Sequence, residues 1–263
     1  MVIEQAEPDY LRRWADEVRR SQPSAEVVSR AVGSYLLDAG AVFDLSLSAE
    51  LDSVLELLEP LDRGTPAAAI AGSWAAMEAL FIGPGDGRNR VIAANRMARI
   101  VACSYVRAEL TALANAYADN SDELAAAIRR CAVNIDRARL FEDALKSRSA
   151  PAFEVARHRL ALERMRSLTV DPGRVMPRIV AQLEDAFRRL SRQRNLIVHA
   201  GDLTSIALSG TLRTVAPLVG AGIDRIVHAS AVGGRSPLEV AAMAETNRDR
   251  VVDGDARLVE LLG

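Results

Sequence analysis

Three side chains that could act on a phosphodiester stand close together near the end of a helical pattern: Arg194, Asn195 and His199. A guanidinium group is a planar fork of hydrogen-bond donors that matches a phosphate, and an imidazole exchanges a proton near neutral pH. Asn195 could donate to an oxygen or hold the histidine. This set suits RNA cleavage by the substrate's own 2′-hydroxyl, with Arg194 stabilising transition-state charge and His199 as general base or acid. Such a reaction needs no metal ion, since the nucleophile belongs to the substrate.

The helix before these residues must bury one side. Its apolar positions recur at the period of an amphipathic helix, at Val180, Leu183, Phe187, Leu190 and Ile197. Arg194 falls on the same stripe, where a charge is costly unless it is paired or faces a wet cleft. On an ideal helix Arg194 and His199 point about 140° apart, so the helix end must distort, or a second copy must contribute, before both reach one atom. The alternative is that both residues only complement the helix dipole.

A second helix carries a carboxylate that could serve Arg194. Thr65 and Pro66 form a helix start, with threonine as the cap and proline at the first position. The buried stripe expected after them consists of Ile70, Trp74, Met77 and Phe81. Glu78 lies beside that stripe among alanines, so we predict that it pairs with Arg194 and orients the guanidinium group. The alternative is a Glu78 that faces solvent at the edge of the stripe.

Both segments resemble parts of HEPN domains. The string Arg194-Asn195-Leu196-Ile197-Val198-His199 resembles the R-x4-H motif, in its form with Asn after Arg. The string Ser73-Trp74-Ala75-Ala76-Met77-Glu78-Ala79-Leu80-Phe81 resembles the early helix of the ApeA-like branch, in which a Trp and a Glu stand on a small-residue helix. The resemblance implies a metal-independent endoribonuclease, usually a homodimer whose two motifs meet in a cleft. It also implies a toxin–antitoxin, antiviral defence or RNA-processing system, with an antitoxin or defence protein as partner.

The amino-acid composition limits the classes of protein to which this chain can belong. The chain has 263 residues, of which 49% are hydrophobic and only 4% aromatic, and its alanine content favours helices around a sizeable core. The net charge of −2 excludes a generally basic nucleic-acid binder, so positive charge for RNA must be local. No Cys/His cluster has metal-ligand spacing, and no cofactor is predicted. The lack of a long apolar run, of a signal-peptide pattern and of a cysteine framework predicts a cytoplasmic protein without membrane contact.

We predict an all-α fold, an antiparallel helical bundle of the HEPN type with additional N-terminal and C-terminal helices. Residues 1–64 would form an N-terminal helical extension, 65–232 the HEPN-like bundle and 233–263 a C-terminal helix. Helices are expected at 8–20, at 24–38, after the cap Ser48 as far as Leu58, from Thr65, at 89–117, from Ser121 to about Ser147, at 152–168, at 174–199, after Asp202 or Thr204, and from Pro237 to about Leu262. Gly83–Arg88 is glycine-rich but follows a helix and lacks the Gly-Lys-Ser/Thr ending of a phosphate loop, so we expect a connector.

The sequence leaves the function open between three classes. The first is the metal-independent endoribonuclease. The second is a non-catalytic HEPN-like module that binds a nucleotide, RNA or a nucleotidyltransferase partner, in which Arg194 holds phosphate and His199 only shapes the pocket. The third is an interaction protein in which a contact between Arg194 and Glu78 sets the register of two helices.

Overall fold

The computed structural model describes residues 49–87, 89–147, 151–200 and 206–262. Within these ranges every regular element is helical and no strand occurs, which confirms the predicted all-α class. The helices predicted at 8–20 and 24–38 lie outside the described residues, as do the two candidate caps Asp202 and Thr204.

Ten α-helices are assigned within the described ranges, and we number them in chain order. They are α1 (Ala49–Leu58), α2 (Pro60–Arg63), α3 (Pro66–Phe81), α4 (Val91–Tyr117), α5 (Glu123–Arg130), α6 (Asn134–Lys146), α7 (Ala156–Val170), α8 (Pro172–Asn195), α9 (Ile206–Gly233) and α10 (Pro237–Val252). A π-helical turn, Leu196–Ala200, follows α8, and a 3-10 turn, Leu258–Glu260, follows α10. The described residues form two compact units, one from residues 49–97 with 184–238 and one from residues 98–183 with 239–262. The three-part division of the chain stays a prediction.

Helix α3 is the packing centre of the first unit, where α1, α2 and α9 all contact it. The stripe predicted for α3 is buried, since Ile70, Trp74, Met77 and Phe81 are each at most 1% exposed. The backbones of α1 and α3 come close together at Gly72, because a Cβ at this position would lie 2.1 Å from the carbonyl oxygen of Leu57. The helix that carries Glu78 is therefore held firmly from one side by α1.

In the second unit, α6 packs against α5, α7 and the 3-10 turn. Its Glu142 is fully buried and accepts hydrogen bonds from the backbone N–H groups of Leu258 at 3.3 Å and Val259 at 3.2 Å. Lys146 lies 2.8 Å from the same carboxylate, and Arg257 lies 3.7 Å from it. A buried carboxylate is tolerated because these partners compensate for its lost hydration. Glu142 thereby fastens the end of the chain to α6.

The single helix predicted from Ser121 to about Ser147 is wrong. Asp122, rather than Ser121, is the cap, and its carboxylate accepts from the N–H of Ala125 at 2.8 Å. The chain leaves the helix at Cys131, whose backbone is extended, and α6 starts only after an extended Val133. The side chain of Arg137 donates two hydrogen bonds to the carbonyl of Cys131, at 3.0 and 3.3 Å, and so satisfies the acceptor that the break leaves open.

The last helix is also shorter than predicted. Helix α10 ends at Val252 instead of continuing to about Leu262. Gly254 follows with a φ of +85°, a conformation that glycine adopts without strain, and it turns the chain away from the helix axis. The segment beyond it forms the 3-10 turn on Glu142.

Candidate functional site

Helix α3 presents Glu78 at the edge of its buried stripe. The helix begins where the sequence predicts, since the Thr65 hydroxyl accepts a hydrogen bond from the N–H of Ala68 at 3.3 Å and Pro66 takes the first position. Trp74 and Met77 anchor the helix in the core, whereas the Glu78 side chain is 23% exposed. The carboxylate is therefore fixed at its base and open to solvent at its tip.

Helix α8 brings Arg194 to this carboxylate. Phe187 and Leu190 are fully buried, two turns and one turn before it respectively, while the side chain of Arg194 is 30% exposed. The Arg194 Nη2 atom lies 3.9 Å from Glu78 Oε2, and Nη1 donates to Asn195 Oδ1 at 3.1 Å. The predicted proximity of Glu78 and Arg194 is confirmed. The distance is that of an ion pair and is too long for a hydrogen bond.

The end of α8 changes from α-helix to π-helix at the predicted motif. The α-helix stops at Asn195, and the π turn runs from Leu196 to Ala200 and contains His199. The prediction of one regular helix as far as His199 is therefore wrong in its last turn. A π turn closes hydrogen bonds between residues five apart instead of four, so it draws residues at five-residue spacing toward one side. A distortion of this kind is needed if Arg194 and His199, which are five residues apart, are to contact the same ligand.

His199 itself is exposed on the π turn. Among the residues that the structure describes, no hydrogen bond or ion pair is made by its imidazole. The ring is accessible to a ligand and to a second protein chain. Its orientation is not fixed by the described part of the chain alone.

No protein-family model matches this chain, and neither a curated protein nor a solved structure matches it. The resemblance to HEPN domains therefore stays an expectation from the two sequence strings. The function of the chain therefore depends on the chemistry of the residues around Arg194 and Glu78.

Arg90 joins the site without having been predicted. Its Nε atom lies 3.9 Å from Glu78 Oε1, and its side chain is 57% exposed. Each oxygen of the Glu78 carboxylate thus faces a different guanidinium group, Arg90 on one side and Arg194 on the other. One negative and two positive charges leave the cluster with a surplus of one positive charge. The chain as a whole has a net charge of −2, so this cluster is a local concentration of positive charge.

A network around Asp86 holds the connector that leads to Arg90. Arg96 binds both carboxylate oxygens of Asp86, with Nη2 donating to Oδ1 at 3.1 Å, and it also donates to the carbonyl of Phe81. The N–H of Gly83 donates to Asp86 Oδ2 at 2.7 Å. These hydrogen bonds, from Arg96 first and from Gly83 second, lower the pKa of the Asp86 carboxyl. The glycine-rich stretch forms turns, as predicted, and its anchored position explains how Arg90 reaches Glu78.

Residues elsewhere that could have been functional are engaged in the fold. His158 accepts a hydrogen bond from Arg157 Nε at 3.0 Å, and its ring meets the edge of Phe153 at 5.3 Å between centroids. Arg99 pairs with Glu245 at 2.7 Å. The described residues contain no group of three or more His, Cys, Asp or Glu side chains placed to hold a metal ion.

One helix bears on the predicted absence of membrane contact. The segment Ala207–Gly233 of α9 is long and apolar enough to cross a bilayer, with a mean hydropathy of 1.2 in its best window, and 39% of that window is buried inside the protein. Length and composition of this kind are shared by core helices, so the finding is weak evidence. The cytoplasmic location stays a prediction.

Proposed function

We propose that this chain is a metal-independent endoribonuclease of the HEPN type that cleaves RNA by attack of the substrate's 2′-hydroxyl. Arg194 and His199 are the proposed catalytic residues, and Asn195 and Glu78 position Arg194. The observation that carries the proposal is the arginine at the end of α8, paired with Glu78 at 3.9 Å and bonded to Asn195, next to a π turn that carries an exposed histidine.

The proposed reaction is a transesterification. His199 accepts the proton of the 2′-hydroxyl, the 2′-oxygen forms a bond to phosphorus, and the bond from phosphorus to the 5′-oxygen breaks. Arg194 donates to the non-bridging oxygens, on which negative charge builds up in the transition state. The products are a 2′,3′-cyclic phosphate and a 5′-hydroxyl, whose proton comes from a general acid or water. No redox change or metal is involved.

A homodimer fits this chemistry because one imidazole cannot act as base and acid in the same step. Leu196 and Val198, on either side of the motif's Ile197, are 44% and 54% exposed, so apolar surface surrounds the π turn. A second copy of the chain over this surface would bring a second His199 to supply the proton. The antiparallel HEPN bundle, the homodimer and a toxin or antiviral setting with its own partner are parts of this proposal that the R-x4-H string supports.

The proposal is tested by incubating the purified protein with end-labelled RNA in the presence of a chelator. Fragments that end in 2′,3′-cyclic phosphate are expected, and both Arg194→Ala and His199→Ala should abolish them while the helical circular dichroism spectrum is unchanged. Arg192→Ala is the matched control, since this exposed arginine lies two residues earlier on α8, about 200° around the helix. Cutting by both site variants at the rate of the control would refute the proposal.

A non-catalytic binding module is the second candidate, and it is favoured by the lack of a hydrogen-bond partner for His199 among the described residues. An imidazole with no hydrogen bond from the described residues lacks the orientation that a general base usually receives from a neighbour. In that case Arg194 holds a phosphate of RNA or of a nucleotide, and His199 shapes the pocket. RNA that is bound but left intact, with weaker binding by Arg194→Ala, would favour the module over the nuclease. If the protein neither binds nor cleaves RNA, the contact between Arg194 and Glu78 has only a structural role.

A further inference from the structure

Most hydrogen-bond donors of the two arginines beside Glu78 have no partner among the described residues. A guanidinium group has five N–H donors. Within the described residues, Arg194 uses one of them, on Asn195, and the side chain of Arg90 uses none. Both lie 3.9 Å from the nearest oxygen of Glu78, which is beyond hydrogen-bond length. As far as the described residues go, the other donors are open to a ligand.

Glu78 occupies the place that an anionic ligand would take. Its Oε1 faces Arg90 and its Oε2 faces Arg194, so two guanidinium groups flank one carboxylate. Two oxygens that share a negative charge are also what a phosphodiester offers, and arginine binds both kinds of group with the same donor fork. Because the cluster keeps one surplus positive charge, an incoming phosphate would be attracted even before the carboxylate moves aside.

Arg90 differs from an ordinary surface arginine in the way its backbone is held. A side chain that is 57% exposed gains little from a single ion pair. The connector before it, however, is fixed by the pair of Asp86 and Arg96, whose side chains are only 12% and 24% exposed. The carbonyl of Arg90 also accepts a hydrogen bond from the N–H of Ala93 at 3.3 Å, at the start of α4. The position from which this guanidinium reaches Glu78 is thus built into the fold.

From these contacts we infer that Arg90 is a second phosphate-binding residue of the site, and that Glu78 holds both guanidinium groups in place until a phosphate of a single-stranded RNA replaces it. The inference depends on the proposed function for the identity of the ligand. Arg90 binds a backbone phosphate and does not take part in proton transfer. Its loss should therefore weaken binding, whereas loss of Arg194 should also slow the chemical step.

Binding can be measured without cleavage. The probe is a fluorescent single-stranded RNA oligonucleotide with 2′-O-methyl groups, which lacks the nucleophile, and its anisotropy is followed over a range of salt concentrations. Arg90→Ala should weaken binding about tenfold, as expected for a charge-assisted hydrogen bond. It should also reduce the slope of log affinity against log salt by about 0.7, the value for one phosphate of a single strand. Glu78→Gln should bind more tightly than the wild type because the competing charge is gone, a gain that a purely structural role would not produce.

The controls separate this inference from the nuclease proposal. Arg192→Ala removes the same charge from the far side of α8 and should leave affinity and salt slope close to those of the wild type. If unmodified RNA stays intact but Arg90→Ala weakens binding as stated, the nuclease proposal fails and the phosphate site stands. If RNA is cut while Arg90→Ala matches Arg192→Ala in affinity and salt slope, the phosphate site is refuted and the nuclease stands. Failure of the wild type to bind the oligonucleotide at low salt also refutes the phosphate site.

Discussion

Replacing Gly72 with alanine tests the helix crossing that holds Glu78 in place. A Cβ at this position would lie 2.1 Å from the carbonyl oxygen of Leu57, whereas ordinary contact begins at 3.4 Å, so α1 and α3 would have to move apart by about 1 Å. The opposing atom belongs to the backbone and cannot rotate away. The clash should cost about 1–3 kcal/mol, as overpacked cores do. The better helix propensity of alanine offsets up to about 1 kcal/mol of this cost.

We therefore expect Gly72→Ala to lower the free energy of unfolding by about 1–2 kcal/mol, measured by urea denaturation followed by circular dichroism. The displacement of α3 would also shift Glu78 relative to Arg194. If the site acts on RNA, a misplacement of about 1 Å should reduce cleavage by up to about a hundredfold.

Gly210→Ala is the matched control, because Gly210 also lies inside a helix but a Cβ there meets no atom of the described residues within 4 Å. This variant should be as stable as the wild type or more stable by up to about 1 kcal/mol. Equal unfolding midpoints for the two variants would show that the backbones of Gly72 and Leu57 are not in close contact.

Three further outcomes are expected. Glu142→Ala should lower stability by about 3–5 kcal/mol in urea unfolding, because two backbone N–H groups of the 3-10 turn and two cations lose a buried partner; a loss below 1 kcal/mol would contradict this burial. In the native protein a thiol reagent should modify Cys131 and spare Cys103 until urea unfolds the chain, since burial raises the pKa of Cys103 to about 12; equal labelling rates would contradict it. Asp86 has a lowered pKa, so its pairing with Arg96 adds stability that is present above pH 3.8 and is lost as the pH falls through the lower, folded-state pKa. Asp86→Asn should therefore reduce the pH dependence of the unfolding midpoint below about pH 4, and an unchanged acid transition would exclude this pair as its source.

Local sequence rules were sufficient for the start of α3 and for the buried faces of α3 and α8. The cap at Thr65, the proline after it and the stripe through Trp74 predict the start and the buried face of α3, and both are found. The same stripe argument places Arg194 on the packed side of α8, where a charge needs a partner. Because Glu78 was the carboxylate on the edge of a packed helix, its proximity to Arg194 could be predicted from the sequence.

The rest of the site depends on contacts between distant residues that no local rule supplies. Arg90 reaches Glu78 because Asp86 is bound by Arg96, which comes from the following helix, and a glycine-rich connector carries no periodic signal for such a contact. The break at Cys131 is likewise satisfied by a side chain from the next helix, Arg137. In both cases an arginine of the following helix forms hydrogen bonds with the connector before that helix, and these bonds fix the connector's backbone. They override the local helix propensity.

The end of α8 connects sequence spacing with backbone geometry. In a regular α-helix, residues three or four apart share a face, so an arginine and a histidine five apart diverge by about 140°. A π turn pairs residues five apart, and Leu196–Ala200 forms such a turn at the motif. A π turn is uncommon because its backbone packs less favourably than that of an α-helix. Its occurrence at the motif residues is therefore not expected from helix propensity alone. The turn begins after Arg194 and changes the direction only of the residues from Leu196 onward. If His199 acts together with Arg194, the rest of the rotation has to come from a second chain.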